Sequence, residues 1–304
     1  MQKMYNRITM LHEIQVSAPA KVNIGLYVSP KRNDGFHDIA SIFTTVPICD
    51  DITVYRSSVD RECDVQCKYI EGFGESDFVL PKENTITATY NAFCELTGLE
   101  KGVQVVIRKK IHAGGGLGGG SSDAASFLFA LEKLFEQELT SEQRWYIASK
   151  VGSDVFFFLY CLYNNVSTAF VGGRGEIVRK IESRSDFYTL VVCPNVHSST
   201  KEAYAEIDEW YRLGKIQREK KKTESELVEM YNRPVCEWRF LNDFTPIITE
   251  KYRVVKEAID EMKLSGALFA DMSGSGSSVF GVFDTKEALK ASYEKMRVAW
   301  TCYA

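Results

Sequence analysis

The chain has 304 residues, of which 45% are hydrophobic, 26% charged and 12% aromatic, and its formal net charge is −4. This composition is typical of globular proteins and excludes a disordered, collagenous or fibrous chain. Proteins that work on nucleic acid or on anionic membranes are usually basic, so the acidic balance predicts that any anionic ligand is held by a local site. The length predicts two lobes of comparable size.

The sequence also indicates where the protein works. No stretch reaches the ~18 consecutive apolar residues of a membrane span, and the most apolar run, Val155–Tyr163, is predicted to be buried core. The first ten residues lack a signal-peptide pattern. The eight cysteines are scattered, and the four histidines are too dispersed for a zinc cluster. We therefore expect a cytoplasmic protein with free thiols that contacts neither membrane nor nucleic acid.

Several strands and one helix are predicted before a glycine-rich loop. Alternating apolar residues and flanking turn residues predict the strands. They span residues 13–16, 22–28, 42–46, 51–55 and 103–110. Asn84 is predicted to cap a helix that runs to Gly98, in preference to a contact with a nucleotide. The polar stretch 57–77 has no predicted role, and the basic residues 108–110 are as consistent with exposure to solvent as with local positive charge at a site.

The glycine-rich loop is the strongest signal in the chain, since six of the seven residues from Gly114 to Gly120 are glycine. A strand precedes it, and a helix follows whose apolar residues continue to Phe135. Either Ser121 or Ser122 is placed to cap this helix. Such a loop brings several N–H groups close to an anion, and the helix dipole adds positive charge. The pattern predicts a phosphate-binding loop rather than a flexible linker.

Two well-known phosphate loops fit this segment only in part. Gly114, Gly116 and Gly119 satisfy a dinucleotide-binding pattern, but the residues about twenty positions further on lie in or after a helix instead of at a strand end. Gly115 and Gly120 have the spacing of a P-loop, but a serine stands where its lysine is required. The residues of this loop predict backbone N–H groups that donate to phosphate, followed by two serine hydroxyls that bind phosphate oxygens or Mg²⁺.

The rest of the chain alternates helices and strands. Thr140 and Gln143 have the spacing of a capping box, for a helix predicted to end near Gly152. Strands are predicted at 167–171, 176–181, 188–193, 267–272 and 279–283, and helices at 249–262 and 286–295. The charged run 215–229 is predicted to be a solvated helix or an insertion, and no role follows for residues 215–233.

Three segments resemble the motifs of the GHMP kinase superfamily, in order and at the usual separations. They are Pro19-Ala-Lys-Val-Asn23, Gly114–Ser122 and Met272–Gly276. The resemblance spans the chain from Ala18 to about Phe283. It implies an α+β fold of two lobes with the active site in the cleft between them. Residues 1–185 would form a ribosomal-protein-S5-domain-2-like N-terminal lobe, and residues 186–304 a ferredoxin-like C-terminal lobe.

The resemblance further implies an ATP-dependent kinase for a small molecule. Arg32–His37, together with the long loop, resembles members that phosphorylate the C2 hydroxyl of the methylerythritol unit of a cytidine diphosphate conjugate, in non-mevalonate isoprenoid biosynthesis. Lys21 and Asp154 match the catalytic pair: Asp154 would accept the hydroxyl proton, and Lys21 would stabilise developing charge. The residues that would bind ATP are His112, Ala113, Gly114, Gly115, Gly116, Leu117, Gly118, Gly119, Gly120, Ser121 and Ser122.

By the same resemblance, Phe36 and His37 would stack on the cytosine and contact its edge, Tyr204 would supply the second stacking face, and Asn23 would orient the substrate. No dedicated protein cage for a metal is expected, since Mg²⁺ would arrive with ATP and be held through Ser121 or Ser122. Met272–Ser278 would support the loop. His112 and Phe156 stand where the family usually has proline.

Alternatives stay open at this level. Taken alone, Asp154 would be a helix cap, Lys21 a solvated strand residue and Met272–Ser278 a hairpin turn. Other GHMP kinases act on homoserine, mevalonate or sugars, and a GHMP-fold ligand sensor would lack the Lys–Asp pair that this chain keeps. A dinucleotide-dependent oxidoreductase is disfavoured by the position of the loop. The sequence does not indicate the oligomeric state.

Overall fold

The computed structural model describes residues 12–71, 74–77, 79–216 and 222–304. Its strands, in chain order, are β1 (Glu13–Lys31), β2 (His37–Asp60), β3 (Cys63–Glu71), β4 (Gly74–Asp77), β5 (Lys101–Lys109), β6 (Thr168–Gly173), β7 (Ile177–Lys180), β8 (Tyr188–Cys193), β9 (Phe269–Met272), β10 (Val279–Phe283) and β11 (Thr301–Tyr303). Its α-helices are α1 (Thr85–Thr97), α2 (Gly119–Leu134), α3 (Ser141–Val151), α4 (Val155–Asn164), α5 (Thr200–Arg212), α6 (Glu224–Tyr231), α7 (Phe244–Lys251), α8 (Arg253–Leu264) and α9 (Lys286–Met296).

The N-terminal lobe is built on a sheet with the strand order β4-β3-β5-β2-β6-β7, and β1 pairs antiparallel with β2. The strands predicted at 42–46 and 51–55 are one continuous strand, β2. The register with β1 shifts between the pairs Pro19–Cys49 and Ala20–Val46, so Pro47 lies in a bulge. A bulge tolerates a proline that a regular ladder would exclude, and the strand therefore continues through it.

Helices α1, α2 and α4 contact this sheet, and α3 packs against α1 and α4. Helix α2 buries most of its residues and contacts β1, α1 and α4, which places it in the middle of the helical layer. The apolar run Val155–Tyr163 forms α4, and its residues Val155 to Leu159 are buried, as predicted. The predicted helix cap at Asn84 and the predicted capping box at Thr140 are also confirmed, since each side chain accepts from the backbone N–H three residues on.

The C-terminal lobe contains an antiparallel sheet with the order β11-β8-β10-β9. Helix α8 packs on it through residues at helical spacing, which include Val255, Ala258 and Met262. The single helix predicted at 249–262 is wrong, because the backbone of Tyr252 is extended and separates α7 from α8. The two sheets with their helices confirm the predicted α+β class.

The charged run 215–229 is only partly solvated, and its residues 217–221 lie outside the described part of the chain. Helix α6 buries Leu227 and Tyr231, which share an apolar cluster with Val22 and Ile42 of the N-terminal sheet. The predicted boundary between residues 185 and 186 falls between β7 and β8 and stays a prediction. Among the helices of the described residues, none combines the length and the apolar character that a membrane span needs.

Candidate active site

The glycine loop connects β5 to α2, and the helix begins earlier than predicted. Gly118 occupies the N-cap position with a left-handed backbone (φ 71°) and no side-chain cap. The prediction that Ser121 or Ser122 caps α2 is therefore wrong, since both lie inside its first turn. Ser121 lines the pocket beside the loop. Ser122 is fully buried, and its Oγ has no hydrogen-bond partner among the described residues.

The loop is pressed against the segment that joins β9 and β10. A Cβ atom on Gly116 would lie 2.1 Å from the carbonyl oxygen of Ser273, so this position requires glycine. Ser273 Oγ donates to the Gly116 carbonyl oxygen (2.9 Å), and the Ser278 N–H donates to the Gly115 carbonyl oxygen (3.1 Å). The segment Met272–Ser278 is thus both a connection between antiparallel strands and, as predicted, a support for the loop.

A pocket of about 570 Å³ lies along the loop. It brings together most of the predicted site residues, which are Lys21, Asn23, His112, Ala113, the residues from Gly114 to Ser121, Asp154 and Tyr204. Ser122 is not among the lining residues. The lining also includes the apolar residues Cys67, Leu80, Ile86 and Ile107, which we call the apolar recess. The pocket therefore combines N–H donors with a recess that suits a flat apolar ring.

Lys21 and Asp154 meet in the lining of this pocket. Lys21 Nζ lies 3.5 Å from Asp154 Oδ2; the lysine side chain is 4% exposed and the aspartate side chain 29% exposed. Burial lowers the pKa of Lys21, and the nearby Asp154 charge offsets this only in part. Asp154 stands at the N-cap position of α4, yet its side chain makes no capping hydrogen bond. Its carboxylate is therefore available to a ligand.

Asn23 fixes the lysine from the other side. Its Oδ1 accepts from Lys21 Nζ (2.7 Å) and lies 3.3 Å from Ser273 Oγ, and its Nδ2 donates to Ser41 Oγ (3.4 Å). These contacts orient the ammonium group of Lys21 toward Asp154. The predicted contact between Asn23 and the substrate stays a prediction.

A second pocket, of about 920 Å³, opens beside the first and shares Gly152, Ser153, Arg174 and Tyr204 with it. It contains the predicted aromatic residues Phe36, His37 and Tyr204. The histidine and Tyr204 ring centroids are 5.1 Å apart.

The imidazole of His37 is already engaged by the protein. Its Nδ1 lies 2.8 Å from the Ser29 carbonyl oxygen, and its Nε2 lies 3.4 Å from Asp208 Oδ1. The ring edge therefore faces protein oxygens, while Phe36 remains 47% exposed. The Arg174 guanidinium lies 3.4 Å from the Phe36 ring centroid, so this face of the pocket pairs a cation with an aromatic ring.

Sequence reasoning missed a buried charge cluster under the loop. Lys109 Nζ donates to Asp50 Oδ2 (2.5 Å) and to Asp123 Oδ2 (2.6 Å). Lys109 is therefore buried, and of the two alternatives that the sequence left open for it, exposure to solvent does not hold. Burial alone would lower the pKa of Lys109, but the two carboxylates outweigh it and raise that pKa to about 12. Burial raises the pKa of Asp123 to about 7, although Lys109 opposes the shift. The alternation of residues along β5 could have predicted this burial. Val103, Val105 and Ile107 are buried, and Lys109 is the next residue on the same face of the strand.

Arg174, which lines both pockets, was also missed. It belongs to the short connection between β6 and β7, where the sequence shows only turn glycines on either side. Nothing in a turn pattern predicts which cavity a side chain reaches. Within the described ranges, no group of three or more His, Cys, Asp or Glu side chains could hold a metal ion.

Two family models match the chain. The model for the GHMP kinases N terminal domain matches residues 84–161, and the model for the GHMP kinases C terminal domain matches residues 233–300. The first contains the glycine loop and Asp154, and the second contains the segment that supports the loop. The chain belongs to the GHMP kinases.

The 4-diphosphocytidyl-2-C-methyl-D-erythritol kinase of Treponema pallidum is 33% identical over 294 residues, which are 95% of this chain and 97% of the relative. The enzyme of that name from Thermotoga maritima is 38% identical, over 87% of this chain and 90% of the relative. A crystal structure of 4-(cytidine 5'-diphospho)-2C-methyl-D-erythritol kinase superposes with a TM-score of 0.75 at 26% identity, over 95% of this chain and 97% of that one. The chain belongs, within the GHMP kinases, to the family of these relatives, the 4-diphosphocytidyl-2-C-methyl-D-erythritol kinases, and the predicted fold and family are confirmed.

Proposed function

We propose that the protein transfers the γ-phosphate of ATP to the C2 hydroxyl of 4-diphosphocytidyl-2-C-methyl-D-erythritol, a step of non-mevalonate isoprenoid biosynthesis that takes place in the cytoplasm. The observation that carries the proposal is the meeting of two pockets beside Asp154. One pocket offers a glycine loop and an apolar recess, and the other offers aromatic rings and a guanidinium. Relatives that carry this enzyme name align over nearly the whole chain.

The phosphate loop supplies the nucleotide half of the site. Its backbone N–H groups and the N-terminus of α2 would bind the phosphates, and the adenine would enter the recess lined by Ile86 and Ile107. Mg²⁺ bound with ATP neutralises phosphate charge. Ser121 fits as its ligand better than Ser122, because Ser121 lines the pocket and Ser122 does not.

The acceptor half lies on the other side of Asp154. Phe36 and Tyr204 would bind the cytosine, and Arg174, which lines both pockets, would pair with the diphosphate. The transfer is direct: the C2 oxygen attacks the γ-phosphorus in line, Asp154 takes the hydroxyl proton, and ADP leaves. Lys21 stabilises the charge that develops on the transferred group. Positioning and electrostatics therefore carry the rate acceleration.

The test is ADP release with ATP and Mg²⁺ and each of four acceptors: the cytidyl compound, homoserine, mevalonate and galactose. We expect turnover with the cytidyl compound alone. Turnover with another acceptor instead would support the kinase activity and contradict the proposed substrate. ATP binding without turnover on any acceptor would favour the ligand sensor, against which the retained Lys21–Asp154 pair at 3.5 Å now argues.

A further inference from the structure

Four residues, Lys110–Ala113, connect β5 to the glycine loop, and we call them the approach segment. They belong to no helix or strand, so a β-ladder does not satisfy their backbone groups. Side chains from other elements do so instead. Asp50 Oδ1 accepts the N–H groups of Lys110 (2.5 Å) and Ile111 (2.8 Å), and the Tyr303 hydroxyl donates to the Lys110 carbonyl oxygen (3.0 Å).

Tyr69 makes the contacts nearest to the loop. Its hydroxyl donates to the Ile111 carbonyl oxygen (3.0 Å) and accepts the Ala113 N–H (3.3 Å). Its ring also packs edge-on against the His112 ring, with centroids 6.0 Å apart. One side chain of β3 therefore contacts three consecutive residues that lead into the phosphate loop. Burial raises the pKa of Tyr69, so the hydroxyl keeps its proton and donates at neutral pH.

His112 gives this contact its importance. A proline at such a position would fix φ by its ring, whereas a histidine leaves the backbone dihedral free. The loop that follows must present its N–H groups to phosphate in one arrangement, and errors of about 1 Å are costly in a site of this kind. The approach segment thus needs an external constraint, and the Tyr69 hydroxyl bonds to both neighbours of His112.

We propose that Tyr69 is a positioning residue for the nucleotide: its hydroxyl fixes the approach segment and, through it, the glycine loop. Tyr69 is not among the residues that line the nucleotide pocket, so it acts through the backbone of the segment. The proposal gives a role to β3, which lies in a stretch of the sequence that predicts none. It rests on the nucleotide half of the proposed function and is independent of the identity of the acceptor.

The first test is Tyr69→Phe, which keeps the ring and removes the hydroxyl. We expect the affinity for ADP, measured by calorimetry, to fall about fivefold, as the loss of about 1 kcal/mol of hydrogen bonding implies. The KM for ATP should rise in proportion, while the KM for the acceptor stays unchanged. The matched control is Tyr90→Phe, which removes a hydroxyl that donates to the Lys101 carbonyl oxygen at the far end of β5.

The second test is rescue. In the Tyr69→Phe background, His112→Pro should recover most of the lost ADP affinity, because the proline ring replaces the missing constraint. In the wild-type background His112→Pro should give no gain. Wild-type ADP affinity in Tyr69→Phe, or an equal rise in the KM values for ATP and for the acceptor, would overturn the proposal. Both measurements use the single variant, so they test the proposal even if the double variant does not fold. ADP binding without turnover on the cytidyl acceptor would defeat the proposed function alone.

Discussion

Two buried lysines flank the glycine loop, and their surroundings differ. Lys21 has one carboxylate, Asp154, at 3.5 Å, and that carboxylate is partly exposed. Lys109 contacts two buried carboxylates, Asp50 and Asp123, at 2.5 and 2.6 Å. Burial wins at the first lysine and lowers its pKa, while the two negative charges win at the second and raise its pKa to about 12.

The difference fits the proposed function, in which Lys21 serves chemistry and Lys109 serves structure. A buried ammonium group with too little negative charge around it destabilises the fold, but it is ready to stabilise new negative charge in a transition state. A lysine between two carboxylates has its charge already satisfied, and it joins β5, β2 and α2 beneath the loop. The same comparison predicts opposite effects when each group is removed.

The largest expected effect follows from Asp154→Asn. The amide cannot accept the hydroxyl proton, so kcat should fall by about 10²–10⁴-fold, the usual contribution of a general base. ADP affinity should stay unchanged, because the phosphate loop is untouched. Steady-state kinetics and calorimetry measure the two quantities.

The control for this prediction is Asp260→Asn, which changes an exposed aspartate of α8 that pairs with Lys256. It should leave kcat at the wild-type value. Near-normal turnover in Asp154→Asn would contradict the role of Asp154 as general base. It would also contradict the catalytic role that the comparison of the two lysines gives to the site of Lys21.

Next in size is the effect of Lys109→Met on stability. The substitution leaves two buried carboxylates side by side without their cation, and removing one partner of a buried ion pair typically costs about 3–5 kcal/mol. We expect a loss of this order in the free energy of unfolding, measured with urea. Lys21→Met should cost nothing or add stability at neutral pH, since it removes an undercompensated buried charge. A larger loss in Lys21→Met than in Lys109→Met would reverse the assignment of the two lysines.

The smallest expected effect is a pH dependence. Lys21 has a lower pKa in the folded chain than its ordinary value of 10.5 in the unfolded chain. At pH values between these two pKa values, the unfolded chain binds more protons than the folded chain, so the free energy of unfolding of the wild type rises with pH. The free energy of unfolding of the wild type should therefore increase relative to that of Lys21→Met as the pH increases toward 10.5. Urea unfolding at several alkaline pH values measures this gain, and parallel pH profiles would contradict the lowered pKa of Lys21.

Local features of the fold followed from the sequence, and longer-range features did not. Asn84 and Thr140 were predicted correctly as helix caps, because a cap and the N–H groups that donate to it lie within three residues of each other. The cap of α2 was predicted wrongly, because Gly118 adopts a left-handed backbone and the loop is held by Ser273 and Ser278 from the other lobe. The strand break predicted near Pro47 was wrong because a bulge absorbs the proline.

By itself, the sequence predicted strands, helices and a glycine loop with N–H donors, because spacing and residue type along a short stretch specify these features. The resemblance of its motifs to the GHMP kinases predicted the α+β class and proposed Lys21 and Asp154 as the catalytic pair. Only the tertiary structure decided which serine faces the pocket, that Lys109 is buried between Asp50 and Asp123, and that Tyr69 contacts the approach segment. These contacts join residues that lie far apart in the chain. Packing brings them together, and the desolvation that accompanies packing sets the charge and the hydrogen-bond partners of each group.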